Sequence, residues 1–236
     1  MLIGVYTTRA GQTSTSWAVS VAWTLAERYP VLLVDADMQG GTTADVLYVD
    51  SAEHSIAHSI NGEALTTQIV PVPERSSLDI VPGLQMTCGP PIVETMQIIG
   101  SELKALDTYE YVIADLGQPL AHPGLTDPVA AAEAICGIFG RTFVVLKDDP
   151  ALLARTINVL RAARPPHGEL IVCQSGKSHR RAVLETLERE LSDLPVRDVY
   201  SWDEKRAARA AGTGIPQTFP GIERDLNLSV HAGGRA

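Results

Sequence analysis

Residues 2–28 read LIGVYTTRAGQTSTSWAVSVAWTLAER. The β-branched and aromatic residues of Leu2–Thr7 predict a strand, and the Ala- and Val-containing stretch Thr15–Arg28 predicts a helix. The residues between them form a loop that runs into the first turn of the helix. Free N–H groups and the positive end of the helix dipole attract anions at such a place. This strand, loop and helix therefore predict an anion-binding site at the edge of a sheet.

The rest of the chain alternates short apolar runs with longer helical segments. Val31–Ala36 is a largely apolar run, which suits a central parallel strand. The pattern predicts further strands at Leu78–Val81, Tyr111–Ala114, Thr142–Leu146, Leu170–Cys173 and Val196–Tyr200, and helices at 50–61, Pro90–Leu106, Ala151–Ala163, His179–Leu191 and Asp203–Ala211. Strands that alternate with helices of this length imply crossover connections. The predicted fold class is α/β, a three-layer sandwich with a mostly parallel central sheet.

Composition bears on the number of domains and on the cellular location of the protein. Hydrophobic residues make up 45% of the 236 residues, which is enough apolar surface for one large core. We therefore predict a single domain over residues 1–228 and a flexible tail over residues 229–236. The three cysteines lack metal-ligand spacing and are an odd number for a disulfide framework. Because the chain also lacks an apolar run of about 20 residues and a recognisable signal peptide, we expect a cytoplasmic location.

Four motifs follow one another along the chain in a specific order. Residues 9–16 read RAGQTSTS, residues 34–40 read VDADMQG, residues 111–115 read YVIAD, and Asp203, Ala208 and Gly212 follow near the end. In order and spacing they resemble the ParA/MinD proteins, the deviant Walker A ATPases, whose loop reads approximately KGGxGKTT and whose second motif reads DxDPQG. The resemblance spans most of the chain. It implies the P-loop fold of that family, with ATP or ADP and Mg²⁺ as the ligands.

Two of the loop's departures from the family pattern bear directly on nucleotide binding. Ser14 stands where the family has its P-loop lysine, and a neutral hydroxyl on a short stem cannot carry that charge to a phosphate. Since a charge-assisted hydrogen bond is worth roughly 1.5–3 kcal/mol, this loss predicts at least about tenfold weaker nucleotide binding. Thr13 replaces a glycine, and a β-branched residue resists positive φ, which predicts an altered loop shape. A small residue in place of the lysine resembles the CpaE/TadZ pilus-localisation subset.

The resemblance assigns roles to individual residues. Asp37 corresponds to the aspartate that orients the attacking water, so it is the catalytic candidate if hydrolysis occurs. Thr15 and Asp115 correspond to the residues that hold Mg²⁺, whereas Asp35 is interpreted as structural. The nucleotide-binding candidates are Arg9, Ala10, Gly11, Gln12, Thr13, Ser14, Thr15, Ser16 and Gln174. Among them, Arg9 stands at the family's signature lysine and Gln174 at the adenine-reading asparagine.

The resemblance also implies partners. We expect a homodimer that presents a surface to a protein partner, whose identity the sequence does not reveal. Two basic clusters suggest weak nonspecific DNA binding, although the net charge of −9 opposes it. These clusters comprise Lys177, His179, Arg180, Arg181, Lys205, Arg206 and Arg209. The residues 223–231 have few cations and little apolar area, so no direct membrane anchoring is expected.

Three functions remain open at this stage. The preferred hypothesis is a positioning or partitioning protein with a degenerate Walker A loop, which acts as a dimeric switch or scaffold with weak or absent ATP hydrolysis. The first alternative is an active ATP-dependent partition ATPase for chromosomes or plasmids. The second alternative is an interaction module of a pilus, conjugation or septum-positioning system that works without nucleotide.

Overall fold

The computed structural model describes residues 1–84, 90, 92–122, 124–174, 180–201, 203, 205, 209, 212–226 and 228. Within these residues, eight strands form one sheet. The strands are β1 Leu2–Tyr6, β2 Val31–Asp35, β3 Val70–Pro71, β4 Leu78–Val81, β5 Tyr111–Asp115, β6 Arg141–Lys147, β7 Gly168–Gln174 and β8 Val196–Ser201. Their order across the sheet is β3-β4-β2-β5-β1-β6-β7-β8. Every pair is parallel except β3 and β4, so the sheet is mostly parallel as predicted.

Helices cover both faces of the sheet. They are α1 Ser14–Leu25, α2 Thr43–Val46, α3 Ile56–Ile60, α4 Ile92–Ala105, α5 Pro128–Ile138, α6 Pro150–Ala163, α7 Arg180–Glu190 and α8 Ile222–Asp225, with single 3₁₀ turns at Leu65–Gln68 and Pro119–Ala121. Side chains of α1, α2 and α8 belong to the apolar cluster on one face. Those of α3 to α7 belong to the cluster on the other. These two helical layers around the sheet confirm the predicted three-layer α/β sandwich.

The central strands are buried on both faces, which explains their apolar sequences. All five residues of β2 are buried. Val31 and Leu33 face the α1 layer, whereas Leu32 and Val34 face the opposite layer. This alternation follows from the two-residue period of a strand, and a sheet buried on both faces needs apolar residues at every position.

The helix predicted over residues 50–61 is shorter in the structure. The predicted cap at Asp50 and Ser51 is wrong, because α3 begins only at Ile56. Ser55 caps it, since the Ser55 side chain accepts a hydrogen bond from the backbone N–H of Ala57 at 3.2 Å. The helix predicted at 203–211 lies mostly outside the described residues, and so does the predicted tail of residues 229–236.

The last described segment packs back across α1. The backbone N–H of Phe219 donates to Thr24 Oγ1 at 3.0 Å, and the Arg141 guanidinium donates to the carbonyl of Leu226 at 2.6 Å. Phe219, Leu226 and Leu228 are buried. This packing covers the outer face of α1 and completes one apolar layer.

The sheet order determines where a ligand can bind. In a parallel sheet of this kind, the crevice lies beyond the carboxyl ends of the strands. β1 lies between β5 and β6. The loop after β1 is therefore flanked on one side by the end of β5, and β2 beyond it, and on the other by the end of β6.

Candidate nucleotide-binding site

The loop after β1 contains two residues in the left-handed conformation. Gly11 has φ 77° and Thr13 has φ 68°. Glycine adopts this geometry freely, but a β-branched residue in it carries strain on the order of 1–3 kcal/mol. We expected Thr13 to resist a positive φ, and the structure holds it there. The loop therefore keeps the left-handed backbone at position 13 and carries the strain that a threonine has there.

Gln12 anchors the loop to the rest of the molecule. Its side chain is buried, Oε1 accepts from the backbone N–H of Lys147 at 2.8 Å, and Nε2 donates to Thr156 Oγ1 at 3.0 Å. Thr156 Oγ1 also lies 2.9 Å from Thr8 Oγ1. These bonds engage both ends of the amide and hold the loop to the end of β6 and to α6. A contact of Gln12 with nucleotide stays a prediction.

The remaining loop positions differ in their exposure. Ala10 and Gly11 are exposed, and Arg9 is half-buried. Ser14 is the first residue of α1 and is buried. Its hydroxyl is neutral and brings no positive charge to the loop. Thr15 and Ser16, in the first turn of the helix, are half-buried. The loop thus offers backbone N–H groups and hydroxyls to an anion, with Arg9 as its one charged side chain.

Three carboxylates lie beside the loop. Asp35 ends β2 and Asp115 ends β5, and the two are register partners in neighbouring strands. Asp37 follows two residues after Asp35. Buried carboxylates that lie so close repel one another, so their protonation states are coupled.

Asp115 is fully buried and incompletely paired. Its Oδ1 accepts from the backbone N–H of Gly117 at 3.2 Å, while its Oδ2 has no hydrogen-bond partner. Burial and the negative charge of Asp35 raise the pKa of Asp115 to about 8. A hydrogen bond from Thr15 opposes this rise. An unpaired buried oxygen next to a hydroxyl suits a cation that would satisfy both.

Asp35 is enclosed by backbone. Its Oδ2 accepts from the backbone N–H of Thr43 at 2.9 Å and from Thr43 Oγ1 at 2.8 Å. A Cβ atom added at Gly41 or Gly83 would lie 2.5 or 2.6 Å from the Asp35 carboxyl group. Burial raises the pKa of Asp35 to about 6. These contacts support a structural role for Asp35, which joins β2 to α2.

Asp37 lies at a small cleft. A Cβ atom at Gly117 would lie 2.1 Å from Asp37 Cγ, so the carboxyl group packs directly on this glycine, whose φ is 57°. The cleft has a volume of about 10 Å³ and is also lined by Gln39, Gln118 and His122. That volume suits a single water molecule. Partial burial raises the pKa of Asp37, and a hydrogen bond from the backbone N–H of Gln39 opposes the rise.

Known proteins share this architecture. No protein-family profile matches the chain. It superimposes on MinD of Aquifex aeolicus with a TM-score of 0.70 at 15% identity, over 96% of this chain and 93% of that one. It superimposes on a ParA family ATPase of Chlorobium tepidum with a TM-score of 0.68 at 16% identity, over 97% and 96%. The chain has the MinD and ParA fold.

Two further comparisons are with proteins whose descriptions mention a nucleotide. MinD of Pyrococcus horikoshii, solved in complex with Mg-ADP, has the same fold with a TM-score of 0.66 at 18% identity, over 91% of this chain and 86% of that one. An uncharacterised ATP-binding protein of Methanocaldococcus jannaschii is 30% identical over 70 residues. That match covers 30% of this chain and only 26% of the relative.

The residues at this edge of the MinD-like fold fit Mg²⁺. Thr15 and Asp115 provide the hard oxygen donors that Mg²⁺ prefers, and the unpaired Oδ2 of Asp115 is available to it. In the described parts of the chain, no group of three or more His, Cys, Asp or Glu side chains could hold a metal.

The predicted adenine contact lies farther from the loop. Gln174 ends β7, two strands from β1, and pairs with Ser201 of β8. Residues 175–179 lie outside the described part of the chain, as do most of residues 202–211. The contact of Gln174 with a base stays a prediction.

Sequence reasoning missed two residues at the site. Thr156 of α6 bonds the loop anchor, and Lys147 ends β6 beside the loop. A polar residue directly after the apolar run Thr142–Leu146 was a usable signal for Lys147, because the carboxyl ends of parallel strands meet at one edge. Thr156 carried no such signal, since threonine is common in helices that pack against other elements.

Proposed function

We propose that this chain is a positioning or partitioning protein of the ParA/MinD type that binds Mg²⁺ and a nucleotide at the loop after β1. Its hydrolysis is slow or absent, and it acts as a dimeric switch or scaffold. One observation carries this proposal: the buried, unpaired Oδ2 of Asp115 lies at the loop, with the Thr15 hydroxyl beside the same carboxyl group. The two positions that the resemblance assigns to Mg²⁺ thus lie next to a loop whose position 14 is serine.

The proposed roles follow from charge and position. Thr15 and Asp115 hold Mg²⁺, directly or through water, and the bound ion would neutralise charge on the phosphate oxygens. Asp37 orients a water in the cleft that it lines. Ser14 provides no positive charge for the transition state, in which negative charge spreads over the transferred phosphoryl group. Binding therefore persists in weakened form, whereas turnover falls steeply.

Dimerisation and a protein partner belong to the same proposal. MinD of Aquifex aeolicus has been solved as a MinC:MinD complex, and that MinD has the fold described above. In this chain, the half-buried Arg9 lies on the loop face, where a second subunit would meet it.

A single domain over residues 1–228 is also proposed, and the continuous eight-stranded sheet in the described residues supports it.

The weak DNA binding suggested by the basic clusters has less support. Arg181 is paired with Glu185 at 2.6 Å, so this exposed cation on α7 has an acidic neighbour. The other members described, such as Lys205, lie on a chain of net charge −9. Such pairing lowers the positive potential that DNA phosphates would sense.

Membrane contact is a separate question. In the part of the chain that the structure describes, no helix is both long and apolar enough to cross a membrane. The predicted absence of a direct membrane anchor at residues 223–231 stays a prediction.

Nucleotide titration combined with a turnover assay tests the proposal. We expect calorimetry to detect binding of ADP and ATP with Mg²⁺, weakened in Asp115→Asn, and to find little ATP turnover. At 100 times its Kd, a ligand should stabilise the fold by about 2.7 kcal/mol. Brisk Mg²⁺-dependent turnover that Asp37→Ala abolishes would instead establish the active partition ATPase. Absence of both binding and thermal stabilisation would establish the nucleotide-independent interaction module.

A further inference from the structure

Lys147 is fixed next to the loop. It ends β6, the strand that pairs with β1 on the side away from Asp115. Its backbone N–H donates to Gln12 Oε1 at 2.8 Å, and Gln12 belongs to the loop. A hydrogen bond to a buried side chain holds this strand end and the loop at a constant separation.

The side chain of Lys147 lies on the α1 side of the sheet. Along β6, Phe143 and Val145 belong to the apolar cluster around α1, whereas Val144 and Leu146 belong to the opposite one. Alternation along a strand places Lys147 on the same side as Phe143 and Val145. This is the side on which α1 and its first turn lie.

The surroundings of Cys173 locate the ammonium group more closely. Cys173 is the register partner of Lys147 in β7, and its thiol is buried. Burial raises the pKa of the Cys173 thiol to about 12, while a hydrogen bond with Thr13 and the charge of Lys147 oppose the rise. The buried Asp148 acts on the thiol with the opposite sign. The register pair places Lys147 and Cys173 next to each other at the ends of β6 and β7, on the α1 side of the sheet, and the effects of Thr13 and Lys147 on the thiol agree with this placement.

The sheet order places Lys147 across the loop from two of the carboxylates, while the buried Asp148 follows Lys147 on its own side. Asp37 and Asp115 lie on the β5 and β2 side of the loop, and Lys147 lies on the β6 side. A chain of phosphates on the loop would have Mg²⁺ at the carboxylate side, so the opposite side must neutralise the remaining negative charge. Ser14 cannot do this, whereas a lysine has a flexible four-carbon stem with which to reach a phosphate.

We infer that Lys147 supplies the ammonium charge that position 14 lacks, by contacting phosphate oxygens of a nucleoside di- or triphosphate on the side of the loop away from Mg²⁺. This inference rests on the proposed nucleotide binding. It names the residue whose positive charge supports that binding in the absence of a P-loop lysine. Lys147 is a binding residue in this scheme. It takes no part in orienting water.

Binding measurements on matched variants test the inference. We expect Lys147→Gln to weaken the binding of Mg-ADP and Mg-ATP at least about tenfold, the loss expected for one charge-assisted hydrogen bond. Lys147→Arg, which keeps the charge, should retain most of the affinity. Lys104→Gln is the control, because Lys104 is at the end of α4 and its ammonium donates to the carbonyl of Gly137. Calorimetry and ligand-induced thermal shifts both report binding without requiring turnover.

A second variant separates lost charge from lost structure. Ser14→Lys added to Lys147→Gln should restore affinity, because the ammonium then returns from the other side of the loop. If Lys147→Gln alone does not fold, Lys147→Met, which keeps the apolar stem, replaces it in the same comparison. Wild-type affinity in a folded Lys147→Gln or Lys147→Met protein would overturn the inference and leave the proposed function intact. A wild-type protein that binds no Mg-nucleotide would overturn both.

Discussion

Thr13 is the residue at which loop geometry and side-chain chemistry disagree most clearly. Its φ of 68° is unfavourable for a branched Cβ, yet it precedes α1 and lies beside Cys173. Its hydroxyl also donates to the carbonyl of Gln12. Strained residues persist only where surrounding contacts hold them, and such residues cluster at ligand-binding loops. The strain at Thr13 is consistent with a loop shape that is retained for binding an anion.

Thr13→Gly should stabilise the free protein. Removing the branched Cβ relieves strain of about 1–3 kcal/mol, and the greater backbone freedom of glycine in the unfolded chain offsets about 0.5–1 kcal/mol of that gain. We expect the free energy of unfolding in urea to rise by about 1 kcal/mol. Thr13→Val is the matched control, since it keeps the strain and loses the hydroxyl, and it should be less stable than wild type. A destabilised Thr13→Gly protein would contradict the strain argument.

Residue-scale features of the site were only partly predictable from sequence. Asp37, Asp115 and Thr15 were placed by their motifs, and the structure brings them to the same edge of the sheet. The anchoring role of Gln12 was not predictable, because its two partners are more than 130 positions away in the chain. A glutamine in a polar loop looks solvent-exposed until its partners are known.

At the scale of elements, α6 supports the loop. Thr156, in the middle of this helix, bonds both Thr8 and Gln12, and all three side chains are buried. A helix that bonds a binding loop can stabilise the loop conformation before any ligand arrives. The loop and α6 should therefore respond together to mutation.

Thr156→Val tests this coupling. The isosteric change leaves Gln12 Nε2 buried without a partner, which costs about 1–3 kcal/mol. We expect that loss in the free energy of unfolding, together with weaker binding of Mg-ADP because the loop is less firmly held. Thr186→Val on the exposed face of α7 is the control and should change neither quantity. Unchanged stability in Thr156→Val would show that the hydroxyl is not needed to hold the loop.

The element prediction found the central strands and most of the long helices, but it missed α5 and β3. The signal for α5 was present, since Asp127 caps the helix at 2.9 Å to the N–H of Val129 and Pro128 occupies the first turn. The two-residue strand β3 was also missed, because its antiparallel pairing with β4 rather than a sequence pattern defines it.

At the scale of the whole molecule, the buried carboxyl groups of Asp35 and Asp115 make stability depend on pH. Burial raises the pKa of Asp115 to about 8 and that of Asp35 to about 6. The folded chain therefore binds these protons more tightly than the unfolded chain, in which both carboxyl groups have pKa values of about 4. It follows that the free energy of unfolding falls as pH rises from about 4 to about 8.

Asp115→Asn should flatten this pH dependence. The amide cannot ionise, so the variant avoids the cost of a buried charge, and we expect it to be more stable than wild type at pH 8 by at least about 1 kcal/mol. The difference should shrink toward pH 4. Thermal or urea unfolding across this range measures it, with Asp193→Asn at an exposed carboxyl group as the control. A difference that grows as the pH falls would contradict the assigned direction of the pKa shift.

The sequence by itself determined the strand, loop and helix units, the two-sided burial of the sheet and the chemistry available at positions 13 to 15. These follow from local periodicity and side-chain type. Only the tertiary structure decided which strand ends become neighbours, and hence that Lys147 and Thr156 lie at the loop while Asp115 lies opposite. The physical reason is that parallel strands pair through contacts between distant parts of the chain, such as β1 with β5 and β6. No local pattern encodes that order.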